Sequence, residues 1–166
     1  MKELLDKLCN YVRENDINMF DIAVCDRENT EKVVFFENNP CQNSYSVTKL
    51  YCVTAIGMLY DDGLVTPDMT VGEIFRDEIK AYGIDNRWDN VTLDNVLLHR
   101  IGFEKGFLDI DTEDASKYES EDFLYLVLSH DLVHAPGSTR VYSDAAYYLV
   151  SRIVTKLSGA QLPRIC

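Results

Sequence analysis

No apolar run in this chain reaches the length of a membrane-spanning helix, and Lys2, Glu3, Asp6 and Lys7 interrupt the leucines of the N-terminus. On the sequence as written, those charges exclude a signal peptide and a transmembrane span, and the expected location is cytoplasmic. Basic residues are scarce: 16 Lys and Arg stand against 28 Asp and Glu, for a net charge of -12. Such a field repels phosphate backbones and anionic lipid, so neither nucleic acid nor membrane is expected as a partner. The chain has no glycine-rich phosphate loop. Its five cysteines (Cys9, Cys25, Cys41, Cys52, Cys166) are odd in number and form no Cys-x-x-Cys. That usage fits reduced, mostly buried thiols better than a disulfide framework. His130 and His134 have the i, i+4 spacing of a metal pair, but no carboxylate completes it and Pro136-Gly137 follows. Asp109 to Asp114 lacks the glycine and distal glutamate of an EF-hand loop and reads as solvated surface. No metal or cofactor is expected.

What remains is a 166-residue chain that is 46% hydrophobic, enough for one α+β domain with a real core spanning the whole length. Leu4, Leu5, Leu8, Tyr11 and Val12 recur at helical spacing over Lys2 to Asn15. Phe20 to Cys25 and Lys32 to Phe36 are β-branched and aromatic runs around Asp26 to Thr30, predicting an antiparallel hairpin that Asn38-Asn39-Pro40 ends. Thr70 and Glu73 form a capping box for a helix of about three turns ending near Gly83. Trp88-Asp89-Asn90 reads as loop, and Thr92 caps a short helix through Leu98. Thr112 to Glu119 reads as a surface connection, and Ser120 caps a helix with Phe123, Leu124, Val127 and Leu128 on one face. A last helix opens at Tyr142-Ser143-Asp144, reaches Leu157 and stops at Gly159.

The chain is organised around Asn43 to Asp62, which holds its one Ser-x-x-Lys, Ser46 and Lys49. From Leu50 to Tyr60 there is no charge, and apolar side chains fall all round the wheel, predicting a helix buried on every side. Asn43 and Ser44 are its capping candidates, and Asp61-Asp62-Gly63 its stop. A lysine in the first turn opposes the positive end of the helix dipole. One reading is chemical: a partly desolvated Lys49 has its pKa pushed down and accepts the Ser46 hydroxyl proton. In the other, Ser46 caps and Lys49 reaches solvent. Pro136-Gly137-Ser138-Thr139-Arg140-Val141-Tyr142-Ser143-Asp144 is a second stretch open to both a structural and a chemical reading.

Together these stretches resemble the serine β-lactamase and penicillin-binding protein superfamily, particularly its class C β-lactamase, DD-peptidase and esterase branch. Ser46-Val-Thr-Lys49 with Ala55, Gly57, Leu59, Asp62, Gly63 and Leu64 is similar to that family's nucleophile helix. Thr92-Leu-Asp-Asn-Val-Leu-Leu-His99 with Gly102 resembles its Thr-x-x-x-Leu-Leu-x-His-x-Ser-Gly segment. Tyr142-Ser143-Asp144 followed by Tyr148-Leu149 resembles its Tyr-x-Asn motif and the next helix. The resemblance runs from Met19 to about Gly159 and implies a β-lactamase/DD-peptidase-like fold. It also implies Ser46 as the nucleophile of an acyl-enzyme and Lys49 as its proton-accepting neighbour. Tyr142, as an anion or hydrogen-bond relay, would share the acid/base work. Asp144 stands where many members have Asn, and a carboxylate there would pair with Lys49 and keep it charged. His99 is expected to fix a loop by hydrogen bonding.

Two departures accompany the likeness. The family's third motif, Lys-Thr-Gly or a His/Lys-x-Gly variant, has no match after Tyr142, and the sequence stops at Gln161-Leu-Pro-Arg-Ile-Cys166. The expectation is therefore the front part of such an enzyme, with an open hairpin edge, weak or absent turnover, and a homo-oligomer or strand-supplying partner. The substrate class implied is a small ester, amide or D-amino-acid peptide. The rival reading is a non-catalytic binding or assembly domain that uses the open sheet edge.

Overall fold

The structure is a computed structural model that describes residues 1–37, 44–109 and 113–160. The Asn43 cap, the Asn38-Asn39-Pro40 stop, Thr112, the segment Gln161 to Cys166 and the thiol of Cys41 fall outside the described residues. The chain divides into two compact units, Met1–Ser44 and Tyr45–Cys166.

The first unit is helix α1 (Lys2–Glu14) packed on a hairpin of β1 (Asp21–Cys25) and β2 (Thr30–Val34). The strands pair antiparallel, with Asp21 opposite Val34 and Cys25 opposite Thr30. Their turn is shorter than the sequence suggests. Asp26 accepts the backbone N–H groups of Glu28 and Asn29 at 2.8 Å each, so the chain has reversed before Thr30. The α1 stripe is also displaced: Leu5, Cys9 and Val12 are buried, whereas Leu4, Leu8 and Tyr11 are exposed. Among the described cysteines, Cys9 and Cys52 are buried and Cys25 is exposed, none of them in a disulfide.

The second unit is helical. Helix α2 (Thr48–Asp61) packs against α7 (Asp144–Ser158), and α5 (Leu93–Leu97) and α6 (Phe123–Ser129) pack on α7 in turn. Ala55, Ala145 and Ala146 are fully buried, and small side chains let helix backbones approach closely. Leu149, Val150, Ile153 and Val154 continue the core along α7, which ends in a left-handed Gly159 (φ 70°). Two adjacent capping boxes, Thr70 with Glu73 and Thr92 with Asn95, start α3 (Val71–Ile74) and α5. An isolated bridge between Thr70 and Thr92 ties them together.

Four sequence expectations change here. The helix after Thr70 is broken: Phe75 leaves helical geometry (φ -108°, ψ 28°) to bury its ring, and α4 (Arg76–Tyr82) follows it to Gly83. Trp88 lies in a 3₁₀ turn, fully buried, its indole N–H donating to the Leu128 carbonyl at 2.7 Å. Asp122, not Ser120, caps α6 by accepting from Leu124 and Tyr125. Helix α2 is not buried all round: Cys52, Ala55, Ile56 and Leu59 face the core, while Leu50, Tyr51, Val53, Met58 and Tyr60 are exposed. Periodicity cannot separate a helix covered on both sides from one with an apolar outer face, because it reports composition and not neighbours. No helix among the described residues is long and apolar enough to cross a membrane.

These burial differences set a stability test. Leu149→Ala, at a fully buried position, should destabilise by about 2–5 kcal/mol in urea unfolding. Met58→Ala, on the 45% exposed face of α2, should stay within about 0.5 kcal/mol of the parent.

Candidate active site

The packing of α2 on α7 sets their N-terminal ends side by side. Before α2, Tyr45 takes a left-handed backbone (φ 43°) and Tyr45–Val47 winds as a 3₁₀ turn. The Thr48 hydroxyl closes that turn by donating to the Tyr45 carbonyl at 2.6 Å. Ser46 therefore precedes the α-helix instead of lying in its first turn, and Val47 occupies the cap position without a side-chain cap. Strain of this kind at a non-glycine residue costs about 1–3 kcal/mol and collects at functional sites.

Ser46, Lys49, Tyr142 and Asp144 come together in one hydrogen-bonded group. The Ser46 Oγ lies 2.7 Å from the Tyr142 hydroxyl, and either oxygen can donate. The Lys49 ammonium donates to Ser46 Oγ at 3.3 Å and to Asp144 Oδ1 at 2.5 Å. It also stands 4.9 Å from the centre of the Tyr142 ring and 5.6 Å from that of Tyr147. Ser46 is exposed, whereas the Lys49 side chain keeps 16% and the Asp144 side chain 31% of their accessible surface.

Of the two sequence expectations for Lys49, a pKa lowered by desolvation and a charge kept by Asp144, the surroundings favour the second. Burial does push it down, as expected of a desolvated ammonium, but the hydrogen bonds and charges of Asp144 and Tyr142 outweigh burial and hold Lys49 above its ordinary value of 10.5. Two positive helix ends and a lysine meet here. Asp144, the first residue of α7, is the carboxylate that balances them.

Loops fix the rest. Ser143 is buried and caps nothing. Its hydroxyl donates to the Phe107 carbonyl at 3.1 Å and accepts from the Phe107 N–H at 3.2 Å. Gly106 allows this approach, since a Cβ there would stand 2.4 Å from the Tyr142 carbonyl oxygen. His99 is 6% exposed and its ring stacks on that of Tyr142 at 4.6 Å. The sequence reading gave His99 a loop-fixing role without linking it to Tyr142, and it missed Tyr147 and Gly106. Tyr147 was within reach, because it lies three residues past Asp144 on the same helical face.

His130 and His134 do not lie on a helix, so their i, i+4 spacing does not set them on one face. Helix α6 ends at Ser129, and the His130 ring stacks on Phe107 at 4.1 Å. Among the described residues, no group of three or more His, Cys, Asp or Glu side chains is placed to hold a metal ion.

A family model described as Beta-lactamase matches residues 41–166. The chain belongs to the Beta-lactamase family. Solved structures agree in fold. A putative beta-lactamase from Bacteroides dorei DSM 17855 superposes with a TM-score of 0.68 at 16% identity, over 98% of this chain and 48% of that one. A class C beta-lactamase gives 0.66 at 18% identity, over 97% and 45%. A putative 6-aminohexanoate-dimer hydrolase from Bacillus anthracis gives 0.65 at 16% identity, over 98% and 44%. This Beta-lactamase family chain thus spans about half the length of the solved structures it matches. At such identities the likeness carries the fold, a helical region with an antiparallel hairpin as the sequence led us to expect.

A double-mutant cycle tests the ion pair. Lys49→Met and Asp144→Asn should each lower the unfolding midpoint by stranding a partly buried partner. The double variant should lose less than the sum, with a coupling of about 0.5–3 kcal/mol, whereas strict additivity would contradict the pairing.

Proposed function

We propose that this chain carries the nucleophile and proton-relay half of a serine acyl-transfer hydrolase that acts through an acyl-enzyme. The single observation that carries the reading is the hydrogen-bonded chain from Ser46 through Tyr142, with Lys49 bound to both Ser46 and Asp144. The substrate class proposed is a small ester, amide or D-amino-acid peptide.

The chemistry follows from the donors and acceptors. Held as a cation, Lys49 has no lone pair with which to take the serine proton, so that task falls to the Tyr142 oxygen 2.7 Å away. Ser46 Oγ attacks the acyl carbon and forms the new O–C bond. Its proton passes to Tyr142, and the proton already on Tyr142 passes to the departing oxygen or nitrogen as the scissile bond breaks. Lys49 stabilises the negative charge that develops along this path, and the backbone N–H of Ser46 supplies one donor to the oxyanion. Water then attacks the acyl carbon, the bond from that carbon to Ser46 Oγ breaks, and a proton of the water returns through Tyr142 to Ser46 as the acid leaves.

Asp144 shapes this division of labour by keeping Lys49 charged. Losing one oxyanion donor costs about 100- to 1000-fold in turnover, so the chain by itself should react slowly.

Intact mass spectrometry after incubation with a penicillin, and separately with an activated aryl ester, tests the reading. A gain of one acyl group that disappears in Ser46→Ala is expected. No gain with either reagent, from protein with native circular dichroism, would overturn it.

A further inference from the structure

His99 touches three consecutive residues of the segment that presents Tyr142. The histidine follows α5 with a left-handed backbone (φ 56°), which turns its carbonyl and its ring toward the same stretch of chain. The carbonyl accepts the Val141 N–H at 2.8 Å. The ring nitrogen Nδ1 accepts the Ser143 N–H at 3.3 Å. Between these two anchors, the imidazole lies on the Tyr142 ring, centroids 4.6 Å apart and planes inclined by 28°. The Tyr147 ring also lies against the imidazole, centroids 5.1 Å apart. The residue is thus a bracket on both peptide neighbours of Tyr142 and a floor under its phenol.

We propose that His99 is the positioning residue for Tyr142, acting only as the neutral imidazole with its proton on Nε2, and that protonating it releases the tyrosine from Ser46. The requirement is one of donors and acceptors. An Nδ1 that accepts a backbone N–H carries no proton of its own. A proton placed there sets N–H against N–H at a site that is 6% exposed. The Ser143 anchor is then lost, and with it one of the two backbone ties on Tyr142.

The surrounding charges act in the same sense. Lys49 at the start of α2 and Arg140 in the segment before α7 both face the ring as cations, and Asp144 is the carboxylate that opposes them. Tyr142 and Tyr147 supply aromatic walls. Burial first, then Arg140 and Lys49, hold His99 below its ordinary value of 6.5. The sign is that of a histidine buried neutral: its bracket is complete at neutral pH and is lost as pH falls through the depressed value.

The activity consequence rests on the proposed function, but the bracket can be tested without it. Long-range ¹H–¹⁵N NMR of the whole chain should show His99 at pH 7 as the Nε2–H tautomer, and the Tyr142 ring resonances should shift with the midpoint of His99 as acid is added. An Nδ1–H tautomer, an imidazolium at pH 7, or Tyr142 resonances indifferent to that titration would overturn the proposal. Acylation kinetics give the second arm. Labelling of Ser46 in the parent should fall through a one-proton step on the acid side. His99→Phe keeps a stacked ring but no acceptor, so it should label about 10- to 100-fold more slowly and lose that step. His99→Asn restores an acceptor that does not titrate, so it should recover part of the rate, again without the step. An acid limb unchanged in both variants would overturn the proposal. If the parent takes up no acyl group at all, the proposed function fails, and the tautomer and the Tyr142 shifts still decide the role of His99.

Discussion

The site depends on two helices that start at the same place. Packing α2 on α7 concentrates the unpaired N–H groups and positive dipole ends of both helices around Ser46 and Tyr142. Adding Lys49 to that environment is unfavourable unless an anion is present, and Asp144 supplies it at 2.5 Å. The ion pair is the constraint from which the other features follow. It fixes the ammonium where it reaches the serine oxygen, and it leaves the neighbouring phenol as the proton carrier.

Two of the four left-handed non-glycine residues among the described residues lie around this pair. Tyr45 and His99, with φ of 43° and 56°, are non-glycine residues in the left-handed region. One precedes the serine, and the other brackets the tyrosine. Gly106 admits the loop that ties down Ser143. None of these is required by the helices alone, and each acts on the position of a hydroxyl. Ser46 is exposed and Tyr142 is 47% exposed, so both hydroxyl-bearing side chains of the relay are open to solvent.

How much of this could be read from the residues varies with the physics involved. The Thr70–Glu73 capping box, the Thr92 cap, the Gly83 and Gly159 stops and the hairpin were legible, because each is a local competition between backbone and nearby side chains. Ser46, Lys49, Tyr142 and Asp144 were legible as a set through their motifs, and the structure brings all four together. The direction of the Lys49 shift was legible only through the resemblance, which sets Asp144 beside Lys49; the first-turn lysine read by itself gives the opposite sign. It turns on a balance between burial and a carboxylate 95 residues away, and local spacing carries no information on that distance. The break at Phe75 and the burial of Trp88 escaped for a similar reason, since tertiary packing overrode a regular local pattern. The outer face of α2 was mistaken for core because an apolar side chain looks the same whether or not something covers it.

The most direct test of this account is the titration of the Lys49 ammonium, followed by ¹⁵N NMR in protein labelled at lysine. The account predicts that its midpoint lies above the ordinary value of 10.5 and drops when Asp144 is replaced by Asn. A midpoint below 10.5 in the unaltered chain would mean that burial outweighs the carboxylate. The ion pair with Asp144 would then not be what sets the charge of Lys49, and the constraint on which the relay through Tyr142 rests would be contradicted.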